Sequence, residues 1–127
     1  MPATTLSQAR TDLDAQIDRT ADELAETIKS LRKQRRAAMR AGDGRQARRA
    51  NTALLSCNDA LATLVRGKIK RMDSADEVQA LIAGFKAVTA DLKAARRDIQ
   101  ETKAFIDKAV KIVKVLSKVA KKALTLV

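Results

Sequence analysis

The chain contains no histidine, tryptophan or tyrosine, and only two phenylalanines, one cysteine, one proline and four glycines. Without histidine the commonest general base and the commonest metal ligand are excluded. With a single cysteine no internal disulfide can form. No glycine-rich phosphate loop, serine-centred nucleophile elbow or zinc-ligand spacing occurs. The expectation is therefore a protein that is not an enzyme, holds no cofactor or metal, and takes no small-molecule substrate. The missing Trp and Tyr also remove the usual membrane-interface anchors and the stacking platforms on which single-stranded nucleic acid is bound.

The first residues, MPATTLSQARTDLD, lack the apolar core of a signal peptide. No uncharged run approaches the roughly 20 residues of a membrane span. The expected setting is cytoplasmic and reducing. Association with a membrane surface, and export by a route without a readable signal, stay open.

What the chain does have is Ala, Leu, Lys, Arg, Glu and Asp, the composition of long helices. Its 127 residues suffice for a single domain with one modest core. Thr5-Leu6-Ser7-Gln8, Asp43-Gly44-Arg45-Gln46 and Ser74-Ala75-Asp76-Glu77 each place a small polar residue three positions before Gln or Glu, the capping-box pattern of a helix start. Three helices are predicted, over about 5–41, 45–72 and 74–127. Gly42-Asp43-Gly44 ends the first of them.

Leu13, Ile17, Thr20, Leu24, Ile28 and Leu31 step by threes and fours along the first helix, and Ala50, Leu54, Cys57, Leu61 and Leu64 along the second. From Val78 through Phe85, Leu92, Ile99, Ile106, Val113 and Ala120 to Val127 the 3.5-residue period never breaks, a coiled-coil signal. The predicted fold is all-α: an antiparallel hairpin plus one very long C-terminal helix, a coiled-coil-like three-helix bundle with an overhanging amphipathic end. Gly84 marks an expected bend. Cys57, on the apolar seam, reads as core. The acidic stripe Asp14, Asp18, Asp22 and Glu26 reads as a solvated or salt-bridging face, because the Glu-x-x-His motif that bundle metal sites need cannot exist here.

The net charge of +11 is uneven. Residues 1–30 hold three basic and six acidic side chains, 31–72 twelve and two, and 73–127 eleven and seven. A hairpin turning at Asp43 pairs residue i with 86 − i. It sets Asp14 and Asp18 opposite Arg66, Lys68, Lys70 and Arg71, and gathers Arg32, Lys33, Arg35, Arg36, Arg40, Arg45, Arg48 and Arg49 at the turn. That cluster, with Asp43 the only acid among it, is the candidate site for an anionic partner.

At 1.5 Å per residue the first helix is roughly 54 Å long and a straight third helix roughly 80 Å, so the third overhangs beyond about residue 110. There Ile112, Val113, Leu116, Val119, Ala120, Ala123, Leu124 and Val127 form a wide apolar face. Lys111, Lys114, Lys118, Lys121 and Lys122 run opposite it. Such an arc wants more than one neighbour. It is the candidate oligomer or membrane face, its lysines suited to an anionic membrane surface. A fold-back near Thr102 and Lys103 would cover this face and remove the argument.

The expected function is a non-enzymatic coiled-coil interaction or assembly protein. It would self-associate into a homo-oligomer or dock into a larger assembly through its C-terminal apolar helix, with a basic end for an anionic partner. A peripheral membrane-binding or pore-forming protein using the same helix is the alternative. Nonspecific nucleic-acid binding by the Arg-rich turn is the third reading.

Overall fold

A computed structural model describes residues 5–97 and 99–125, which form four helices joined by short links. Helix α1 spans Leu6–Arg40, α2 Gly44–Arg66, α3 Ala75–Arg97 and α4 Thr102–Ala123. A two-residue strand β1, Lys68–Ile69, pairs antiparallel with β2, Leu124–Thr125.

Each predicted helix start makes its capping bond. Thr5 Oγ1 accepts from the Gln8 amide at 3.1 Å, Asp43 Oδ1 from Gln46 at 3.1 Å, and Ser74 Oγ from Glu77 at 3.2 Å. Each bond satisfies a backbone N–H that the first turn leaves without an intrahelical acceptor. Helix α1 ends in a Schellman motif. The Asp43 amide donates to the Ala38 carbonyl and Gly42 to Met39, with Gly42 at φ +74° where a β-carbon would be strained.

Two helix boundaries depart from the sequence reading. Helix α2 stops at Arg66 rather than about residue 72, because at Gly67 the C-terminal segment comes in against the chain. A β-carbon there would sit 2.7 Å from the Thr63 carbonyl oxygen and 3.0 Å from Leu124. Ile69 then pairs with Leu124, and the Lys70 amide donates to the Ala123 carbonyl at 2.8 Å. Met72 is buried.

The second departure corrects the very long third helix. Its residues form two helices, α3 and α4, and the chain reverses between Arg97 and Thr102. The energetics favour this outcome. Interrupting a helix forfeits about four backbone hydrogen bonds, each contributing about 1 kcal/mol net. The reversal buries Phe105, Ile106, Val113, Leu116 and Leu124, at about 2 kcal/mol each. Among the described residues no part of the C-terminal helix overhangs the bundle. Helix α3 also runs through Gly84 as helix. The missing side chain there admits α4, since a β-carbon would meet the Val119 methyls at 3.2 and 3.3 Å.

Helix α1 packs against α2 and α3, and α4 closes the bundle between those two. Paired side chains give the directions. Arg35 Nη1 donates to Asn51 Oδ1 at 2.9 Å, a pair whose numbers sum to 86, so α1 and α2 are antiparallel in the expected register. Gln16 and Thr20 reach Thr89, while Glu23 accepts from Arg96 Nε at 2.9 Å, so α3 runs parallel to α1. Arg49 bonds Asp107 near the start of α2 and of α4, and Lys70 Nζ donates to the Lys121 carbonyl near their ends at 2.7 Å. Helices α2 and α4 are therefore parallel. Leu13, Leu24, Leu31, Phe85, Leu92, Phe105, Ile106 and Leu116 fill the interior, all under 2 % exposed.

Candidate anionic-partner interface

The basic residues picked out at the turn divide by face. Arg32, Lys33, Arg36 and Arg40 are exposed on the last turns of α1. Arg35 is half-buried and tied to Asn51. Arg45, Arg48 and Arg49 project from the first turns of α2 into a trough between α2 and α4, and the other five do not line it.

The upper part of this trough has a volume of about 530 Å³. Arg45, Arg48, Arg49 and Thr52 line it from α2, and Ile106, Asp107, Val110, Lys111 and Lys114 from α4. Five cations thus meet one acid, and that acid, Asp107, is already ion-paired with Arg49. Ile106 is buried beneath, and Arg45, Arg48, Lys111 and Lys114 are exposed to solvent.

In the sequence Lys111 and Lys114 belong to the expected overhanging end, remote from the arginines. Reversal of the chain before Thr102 runs α4 beside α2, so that Asp107 lies level with Arg49 and the two lysines join the arginines. The usable signal was the fold-back at Thr102 and Lys103, where Thr102 Oγ1 donates to Gln34 Oε1 at 2.6 Å.

Below the basic chamber the trough continues. A hollow of about 280 Å³ shares Val110 and Lys114 with it and adds Ser56, Asp59, Ala60, Thr63, Val113 and Ser117. A third of about 490 Å³ shares Ala60, Thr63 and Ser117 with the second and reaches Lys70, Leu116, Ala120, Lys121, Leu124 and Thr125.

The apolar face assigned to oligomers or membranes lies largely inside the protein. Val113, Leu116, Ala120, Ala123 and Leu124 are buried in the chain's own core, and Ile112 and Val119 are half-buried against it. The widened arc does have two neighbours, as its width required, and they are α2 and α3 of the same chain. Val127 lies outside the described residues. Lys111, Lys114, Lys118, Lys121 and Lys122 all remain exposed, and Lys111, Lys114 and Lys121 of these line the trough.

At the base of the bundle Asp14 and Asp18 share a hollow of about 950 Å³ with Arg10 and Lys68, in the neighbourhood where the hairpin register set them. Cys57 is buried in the core, which pushes its thiol pKa up to about 11 and keeps it protonated and unreactive at neutral pH. The buried Glu23 carboxylate holds the Arg96 guanidinium by a hydrogen bond that raises the latter's pKa. Among the described residues no helix is long and apolar enough to cross a membrane, and no three acidic or cysteine side chains converge as metal ligands. No protein-family model matches this chain, and neither does any curated protein or solved structure.

Proposed function

We propose that the protein is a non-enzymatic helical interaction module that holds an anionic partner in the trough between α2 and α4. The observation that carries this reading is the convergence of Arg45, Arg48, Arg49, Lys111 and Lys114, from two helices distant in sequence, around a single and already paired acid. Like charges brought together by a fold repel one another, and a bound anion relieves that repulsion. Self-association or membrane insertion through the apolar seam of α4 would require undocking that seam from the core. Helix α4 therefore contributes its lysines to the partner and its apolar side to the fold.

The test is fluorescence anisotropy with labelled polyglutamate and with a mixed-sequence DNA duplex, at low and high salt. A variant with Arg45, Arg48, Lys111 and Lys114 changed to Glu should lose at least about tenfold in affinity. A control with the exposed Arg19, Lys86, Lys93 and Arg97 changed to Glu carries the same net charge and should lose far less. Equal losses in the two variants would reduce the binding to bulk charge and sink the proposal.

A further inference from the structure

We infer that the occupant of the trough is an acidic amphipathic helix of a partner protein, lying along α2 and α4 over the trough's whole length. The inference rests on the trough being the anionic-partner site and specifies what fills it.

The three hollows succeed one another along α2 and α4, each sharing lining residues with the next. From Arg45 to Thr63 they follow α2 for about 27 Å, the length of a five-turn helix. Among the lining residues, positions 45, 49, 52, 56, 59 and 63 run along α2, and 107, 110, 114, 117 and 121 along α4. Both sets step by threes and fours, so the walls are straight ridges with a groove between them.

Along that groove the chemistry is mixed in a way that suits a helix. Ser56, Ala60, Thr63 and Ser117 are small, which lets another helix approach closely. Val110, half-buried, and the outer edges of the more deeply buried Val113, Ala120 and Leu124 line an apolar floor. The cations do not stop at the upper chamber, since Lys70 and Lys121 edge the lower end. A partner with one apolar stripe and acids on its flanks meets both features, in the manner of helix-in-groove recognition.

Other anions fit less well. A phosphate backbone has no use for an apolar floor. A second copy of this chain would carry another +11 into the contact, a repulsion that a foreign acidic helix does not bring. A flat membrane surface does not enter a groove between two helices.

The experiment uses three probes of similar charge. They are a synthetic 18-residue helix with Leu and Ala on one face and Glu on its flanks, a scrambled peptide of the same composition, and polyglutamate. The amphipathic peptide should bind at least about tenfold tighter than the other two. Changing the exposed Ser56 and Ser117 together to Trp fills the floor without altering charge. That variant should lose the preference for the amphipathic peptide and keep its affinity for polyglutamate, with an unchanged circular dichroism spectrum. A preference that survives the two Trp substitutions, or no preference at all, overturns the helix as occupant. Polyglutamate binding that the four-site charge reversal still abolishes would, in that case, leave the anionic-partner reading standing. Failure of all three probes to bind overturns both. A DNA duplex that binds more tightly than the peptide, in both the original protein and the Trp variant, replaces the helix with a nucleic acid.

Discussion

Leu116 distinguishes a chain folded back on itself from one with a projecting C-terminal helix. It has no exposed surface, whereas the adjacent Val115 is 52 % exposed. Replacing Leu116 with Ala removes the transfer free energy of the lost methyl and methylene groups and leaves a hollow between α4 and its neighbours, a cost of about 3 kcal/mol for a fully buried site. For a chain of this length the entropy of unfolding near the midpoint is about 0.27 kcal/mol/K, so the melting temperature should fall by about 10 °C. Val115→Ala trades little burial for a better helix former and should stay within about 0.5 kcal/mol of the original. Urea denaturation of both variants followed by far-UV circular dichroism, with slopes compared to confirm a common unfolding reaction, measures the two values directly. On a solvated, projecting helix the two positions would behave alike. Equal costs, or a Leu116→Ala cost under about 1 kcal/mol, would refute the fold-back.

Two further outcomes follow from buried groups. The folded thiol of Cys57 keeps its proton up to about pH 11, while the unfolded one releases it near 9.0. The folded state therefore holds the extra proton in that window, and stability falls as pH rises through it, by about 2 to 3 kcal/mol in all. Cys57→Ala should remove that slope from a series of denaturation midpoints taken across the window; an unchanged slope would show that the buried thiol does not carry it. Gly67→Ala places a β-carbon against the Thr63 carbonyl and Leu124, and the strain should cost about 1 to 3 kcal/mol. Hydrogen exchange should quicken at the Lys70 amide, which bonds Ala123 across the β1–β2 clasp. Unchanged exchange there would show that the segments are not tightly apposed.

Much of the bundle was readable because its determinants are local. Thr5, Asp43 and Ser74 cap their helices through bonds spanning three residues, and Gly42 ends α1 through its own backbone freedom. The hairpin register needed only the turn position, and Arg35 with Asn51 obeys it. The path after residue 97 was less accessible. A heptad seam keeps its phase whether the helix runs straight or is interrupted and turned back, because both arrangements put the same residues on the core side. The width of the apolar arc on α4 announced two neighbours without saying to which chain they belonged.

The end of α2 escaped for a related reason. Gly67 can continue a helix or leave one, and what decides is Leu124, 57 positions further along, packing against it. The candidate site has the same character. Arg45, Arg48 and Arg49 were visible as a cluster, and Lys111 and Lys114 as a lysine face, but nothing local joins them. Sequence alone determined the helical class, three helix starts with their caps, the end of α1, the first hairpin and the excess of positive charge, since each depends on composition or on spacings of a few residues. The tertiary structure decided that the C-terminal helix folds back, that its apolar face serves the core, and that two distant basic segments share one trough. These depend on the free energy of burying Phe105, Ile106 and Leu116 against helices far away in the chain, a quantity no local pattern carries.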